Sequence, residues 1–200
     1  MIGFKKVFTG NFDGNGFAVI GLKIDGGNNV GLFGVIGSGA EVENLGVEGC
    51  NISGGQAVGG LAGSSYGSIT NCYVTGTVTG SGMFVGGLIG GNHNGGGITN
   101  SHASVTVMGS NYYVGGLVGT NGFEGSFITG SYATGNVTVT GNVQWIGGLA
   151  GHTRDASIAD SYATGDVTAS SGIYVGGLVG QSHTTSITGS YATGNVTGKS

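Results

Sequence analysis

Acid–base, metal or thiol chemistry in this 200-residue sequence would have to come from nine carboxylates, four histidines and two cysteines. The carboxylates are Asp13, Asp25, Glu41, Glu43, Glu48, Glu124, Asp155, Asp160 and Asp166. Hydrolysis of a glycoside or ester needs two of them facing one another, one as acid and one as base or nucleophile. Their spacing puts Glu43 and Glu48 in one sequence repeat and Asp155, Asp160 and Asp166 in another. No acid pair between neighbouring repeats that would suit general acid/base work or glycoside cleavage is expected, and each carboxylate reads as a solvated turn residue. His93 and His183 fall at equivalent places but three repeats apart, roughly 14 Å on a ~4.8 Å stacking step, too far for a shared metal. No Ser/His/Asp or Cys/His set assembles from His102, His152 or the remaining residues. Catalytic, cofactor-binding and metal-ligating residues are each expected to be none.

Glycine motifs and cysteines give no other chemistry. A P-loop needs Gly-Lys-Ser/Thr opening a helix, and neither the lysine nor the helix is available. Asp13-Gly-Asn-Gly16 lacks the later ligands of a calcium loop, and the Gly-Gly-x-Gly-x-Asp calcium repeat is absent. Cys50 and Cys72 lie about five residues apart in repeat register, which does not suit the ~5.5 Å Cα separation of a disulfide. Two free thiols are expected, with Cys72 buried at the place shared by Leu45 and Ser101.

The positions of all these residues are set by tandem repetition. Val58-Gly-Gly-Leu-Ala-Gly63 recurs at Val85, Val114, Ile146 and Val175, with steps of 27, 29, 32 and 29 residues. A shortened copy is Val30-Gly-Leu-Phe-Gly34. Each copy is followed by a second signature, Ser131-Tyr-Ala-Thr-Gly-Asn-Val-Thr138 and its counterparts from Cys72, Ser101, Ser161 and Ser190. Three residues ahead of the second signature stands an aliphatic residue: Val42, Ile69, Ile98, Ile128, Ile158 or Ile187.

The composition fixes the element type. There are 49 glycines, no proline, 5 basic and 9 acidic side chains, 38% apolar residues and a net charge of −4. Glycine at one position in four, at ~1 kcal/mol each relative to alanine, excludes a helical protein. The apolar content excludes disorder, and the missing three-residue period excludes collagen. The second signature alternates with period two: Cys72, Val74, Gly76 and Val78 on one side, Tyr73, Thr75, Thr77 and Thr79 on the other. That is strand periodicity. Units of this size cannot bury a core alone and must stack. The expected fold is all-β, a right-handed parallel β-solenoid of about six coils of ~29 residues. One domain, 1–200, is expected, with an entry coil at 1–29 and repeats at about 30–57, 58–84, 85–113, 114–145, 146–174 and 175–200. The array is expected to continue in a longer protein. In the entry coil, Ala18, Ile20, Leu22 and Ile24 read as the inward side of the first strand, and Asn92-His-Asn-Gly-Gly-Gly97 reads as a turn.

The paired signatures resemble the GLUG repeat of bacterial secreted and surface proteins. Phe12-Asp-Gly-Asn-Gly-Phe17 is similar to the entry coil that often precedes it, and the resemblance covers residues 8–197. It implies a β-helical repeat in large extracellular proteins, among them adhesin-like proteins and surface peptidases in which the repeat flanks the catalytic domain. It brings no catalytic residue. The copy at Val30 departs from the pattern by lacking the second glycine.

The outward positions of the second signature form columns along the rod. The first is Tyr73, His102, Tyr132, Tyr162, Tyr191. Beside it run Thr75, Ser104, Thr134, Thr164, Thr193; then Thr77, Thr106, Asn136, Asp166, Asn195; then Thr79, Met108, Thr138, Thr168, Thr197. A second aromatic row, Phe84, Tyr113, Trp145 and Tyr174, precedes the first signature. The apolar Val, Leu and residue after Leu cannot share one side by alternation, so a bend at Gly-Gly is needed and the direction of these rings stays open.

Repeat economy accounts for such columns through like-residue contacts. They also offer a neutral, flat face to a polysaccharide, to ice or to another protein surface. No Asp, Glu, Lys or Arg lies between Glu48 and Glu124, which excludes phosphate-directed nucleic-acid binding. No apolar run is long enough for a transmembrane helix, and no export signal stands in this segment. The reading is a non-enzymatic structural or adhesive segment of an extracellular surface protein, with uncapped coils available for end-to-end contacts. The alternatives are an ice- or glycan-binding module and a spacer beside a separate catalytic domain.

Overall fold

The computed structural model describes residues 6–198, which form short strands joined by turns, with no helix among the described residues. Every strand pairing is parallel, and successive coils stack one on the next as a β-solenoid. Three stacks of strands surround the core.

The first stack contains Glu41–Glu43, Ser68–Thr70, Gly97–Thr99, Phe127–Thr129 and Ser157–Ala159. Its central residues Val42, Ile69, Ile98, Ile128 and Ile158 are in register and fully buried. This is the aliphatic position that precedes each second signature. One residue beyond each of these strands the chain turns with a left-handed φ. Asn44, Asn71, Asn100, Gly130 and Asp160 have φ between 47° and 58°. An L-residue with a branched or long side chain resists that region, whereas Asn, Asp and Gly accept it. The corner also bonds along the axis: Asn71 Nδ2 donates to Asn44 Oδ1 at 3.1 Å, and Asn44 Nδ2 to Asp13 Oδ1 at 3.0 Å.

The next residue opens the second signature, and its serine has an inward task. The backbone N–H groups of Cys72, Ser101, Ser131 and Ser161 donate to the hydroxyls of Ser101, Ser131, Ser161 and Ser190 in the following coil, at 3.0–3.2 Å. The hydroxyls of Ser101, Ser131 and Ser161 donate in turn to Thr99, Thr129 and Ala159 carbonyls. Buried amides that the corner removes from the sheet ladder are thereby paired.

The second stack runs through Phe33–Ile36, Ala62–Ser65, Ile89–His93, Val118–Gly122, Ala150–Arg154 and Val179–His183. The Gly-Gly bend ahead of it is present. Val85, Leu88 and Ile89 are all fully buried because the chain folds between Val85–Gly86 and Ile89–His93. A Cβ on Gly86 would lie 2.1 Å from the Ile89 carbonyl oxygen, so only glycine fits. The predicted turn at Asn92–Gly97 begins later. Asn92 and His93 close the strand, and Asn92 points inward, fully buried, donating to Asn121 Oδ1 at 2.8 Å and to the Gly96 carbonyl at 2.9 Å.

The third stack carries the second signatures. Tyr73–Gly80 and His102–Gly109 are continuous strands. In later coils the same stretch is interrupted between Tyr132–Ala133 and Val137–Gly147, and between Tyr162–Ala163 and Val167–Gly176. The alternation survives the break, with Ala133 and Val137 inward and Thr134 and Asn136 outward. The entry coil corrects one expectation. Ala18 pairs with Gly46 and Ile20 with Glu48, on the outer side, and Ile20 is 77% exposed. Val19 packs on the core in their stead, together with Leu22 and Ile24. Gly21 at φ 68° and Gly49 at φ 58° each take an extra left-handed step, so inward and outward exchange across them.

Candidate functional site

Both aromatic rows are continuous stacks. In the first, His102 lies 5.4 Å from Tyr73 and 4.6 Å from Tyr132 by ring centroid, Tyr132 4.7 Å from Tyr162, and Tyr162 5.2 Å from Tyr191. All four pairs are within 10° of parallel. Parallel register places the rings one above the next. Each inner ring therefore spends both faces on its neighbours, and the solenoid surface receives ring edges and phenol oxygens. The stack begins on a polar contact: the Tyr73 hydroxyl donates to the Glu48 carboxylate, and its ring lies over Gly46, where a Cβ would stand 2.5 Å from Cζ. That hydrogen bond pushes the Tyr73 phenol pKa up. Glu48, expected in a solvated turn, sits in the strand Gly46–Gly54.

The flanking columns are also in register. Thr75 faces Ser104, and Ser104 and Thr134 hydroxyls are 2.8 Å apart; Thr164 and Thr193 continue the row through amide bonds to the Ala133 and Ala163 carbonyls. In the next column Thr77 pairs with Thr106, the Asp166 amide donates to Asn136 Oδ1 at 3.0 Å, and the Asn195 amide to Asp166 Oδ1 at 2.8 Å. The last column runs Thr79, Met108, Thr138, Thr168, Thr197.

The second row has a direction. Phe84 stacks on Tyr113 at 5.0 Å, Tyr113 on Trp145 at 4.7 Å and Trp145 on Tyr174 at 6.2 Å. Phe84, Tyr113 and Trp145 are half-buried, and Tyr174 is exposed. The Gly-Gly bend folds this row back over the outer side of the second stack, where His93 meets Phe84 and Tyr66, and His152 meets Tyr113 and Trp145 edge-on. Burial lowers the pKa of both imidazoles, and nearby Arg154 and His183 lower that of His152 further. Sequence spacing missed this cluster because its members come from strands that meet only after the bend. His93 and His183 share a column, separated by Gly122 and Arg154.

Asp13 and Glu43 are register partners in adjacent coils. Asp13 accepts from the Asn15 amide at 2.8 Å and from Asn44 Nδ2, and these bonds hold its carboxyl below the usual range. It is a corner cap rather than a proton donor. Both cysteines are buried free thiols, and burial pushes the Cys72 pKa to about 11. No group of three or more His, Cys, Asp or Glu among the described residues converges as a metal site.

The family described as the GLUG motif matches residues 54–79, 81–108, 146–168 and 171–197, together more than half of the chain. Halomucin of Haloquadratum walsbyi is 44% identical over 87 residues, which are 42% of this chain and 1% of that protein. A protein of Evansella cellulosilytica, provisionally described as a Gly-rich membrane protein, is 43% identical over 72 residues, 34% of this chain and 8% of that one. The matched segment is thus a small part of each relative. No solved structure matches.

Proposed function

The chain belongs to the GLUG-motif family, and from that premise we propose that it is a non-enzymatic segment of an extracellular or cell-surface protein, presenting its Tyr/Thr/Asn face as an adhesive surface. The observation that carries this reading is the unbroken column Tyr73, His102, Tyr132, Tyr162, Tyr191 with its flanking hydroxyl and amide columns. Such a face is rigid before anything binds, so little side-chain entropy is lost on contact. Its low charge, with Asp166 the one acidic member of the four columns, favours neutral, hydroxyl-rich partners over ionic ones.

The purified protein on an array of neutral glycans tests the reading, with Tyr132→Ala and Trp145→Ala as controls. Binding that both retain would dissociate adhesion from the aromatic rows. An ice surface is the weaker partner, because the tyrosines and Asp166 interrupt a pure Thr array; a normal ice-crystal habit at high protein concentration removes it. A spacer beside a catalytic domain predicts no ligand footprint anywhere on the rod.

A further inference from the structure

Beside the Tyr/Thr face lies a trough of about 650 Å³ that neither aromatic row enters. One wall is the outermost column of the face, Asp25, Ser53, Thr79, Met108 and Thr138, in register across five coils. Four stacking steps give it a length of roughly 19 Å along the rod axis. The floor is the corner after that column, made by Gly54, Gly55, Gly80 and Gly109 with Ser81 and Ser110.

Core packing draws the corner backbone in close. Gly80 and Gly109 are buried inward positions, where a Cβ would stand 2.2 Å or 2.5 Å from a methyl of Val85 or Val114. The corner's amides are already paired along the axis, Ser81 to the Gly54 carbonyl at 3.0 Å and Gly82 to that of Gly55 at 3.1 Å. Half-buried Gly54 and Gly55 leave the lining small, and the Met108 thioether, 39% exposed where the column otherwise carries polar residues, adds an adaptable apolar contact. The Ser81 and Ser110 hydroxyls donate to the Gly54 and Ser81 carbonyls at 3.3 and 3.5 Å, which leaves their oxygens able to accept. Thr79 and Thr138 add hydroxyls on the wall. Among the described residues the one charge on the lining is Asp25, at an end, where its carboxylate accepts from Ser53 Oγ at 2.8 Å.

An axial groove with an apolar floor, hydroxyl walls and almost no charge is complementary to a chain with apolar ring faces and hydroxyl edges. We propose that this trough seats a neutral linear polysaccharide running parallel to the rod axis. The proposal rests on the reading of the segment as an adhesive surface and adds to the Tyr/Thr/Asn face a second, adjoining site distinct from the tyrosine column. The trough ends where the fifth coil departs from the earlier ones: the strand Val137–Gly147 runs through the corner with a register shift after Val139.

Titration calorimetry with cellohexaose, a neutral linear β-glucan, tests it. Saturable binding is expected, strengthening from cellobiose to cellohexaose. Ser81→Trp and Ser110→Trp fill the trough from exposed positions and are expected to weaken binding about tenfold or more, with circular dichroism and thermal unfolding unchanged. If either variant misfolds, Thr140→Trp obstructs the same groove from another exposed position. Tyr132→Ala is expected to retain cellohexaose binding. Binding lost in Tyr132→Ala but kept in the tryptophan variants would place the glycan on the tyrosine face and overturn the trough while sparing adhesion. Absence of binding to the unmodified protein, or occupation of the trough by an extended peptide alone, overturns it as well.

Discussion

The imidazole of His102 lies flat against the ring of Tyr132, centroids 4.6 Å apart and planes 7° from parallel. It occupies a tyrosine's place in the column and behaves as a neutral aromatic there. Burial lowers its pKa from 6.5, so the unfolded chain binds the proton more readily than the fold. That stabilising contribution is present above pH 6.5 and is lost as pH falls through the folded pKa. His93 and His152 act with the same sign. The melting temperature is expected to drop between pH 7.5 and pH 5, and His102→Tyr to flatten part of that drop. Thermal melts across the range check it; an unchanged slope in the variant would show that His102 does not contribute.

Tyr132 stacks on both sides, against His102 and Tyr162. Each such pair is worth about 0.5–1.5 kcal/mol beyond area burial. Tyr132→Ala is expected to cost about 1–3 kcal/mol, whereas Tyr132→Phe keeps the stack and stays near the parent. Denaturant titration of the two variants checks the contrast.

Close stacking leaves no room for a methyl at the bends. A Cβ on Gly165 would lie 2.0 Å from the Gly135 carbonyl oxygen, against backbone that cannot rotate away. Gly10 meets only the Phe8 ring, at 3.6 Å. Gly165→Ala is expected to lose about 2 kcal/mol or more through forced backbone shifts. Gly10→Ala is expected to be neutral or to gain a few tenths of a kcal/mol by restricting the unfolded chain. Equal effects at the two sites would refute the packing argument.

What repetition specifies was legible in the sequence. Two signatures at a near-constant step fixed the coil, the inward isoleucines and every outward column, because parallel stacking places equivalent residues in register. Single departures were not legible. Ala18 and Ile20 alternate correctly with Leu22 and Ile24 on paper, yet the left-handed Gly21 between them exchanges the two faces. The inward Asn92 looked like a turn residue because its partner, Asn121, lies 29 positions away. The aromatic row had no assigned direction until the Gly-Gly bend set it over His93 and His152. The trough was equally invisible, since it forms only where the corners of several coils lie side by side.

Cys72 offers a test of coil register that needs no ligand. Its Sγ lies 3.3 Å from the Thr70 carbonyl oxygen and 3.6 Å from that of Val42, inside the core, and burial raises its pKa to about 11. Cys50 is buried further along its own strand, opposite Gly76, with its Sγ 3.8 Å from the Thr77 carbonyl oxygen. Alkylation requires a thiolate that reaches solvent, and at pH 8 the native fold supplies neither condition. Iodoacetamide is expected to leave both cysteines unlabelled in the native protein and to label both in denaturant, with native labelling rising only as the fold opens. Mass spectrometry of the non-reduced protein reads the same register independently: two free thiols agree with Cys50 standing opposite Gly76, whereas a Cys50–Cys72 disulfide would require a different stacking of these two coils.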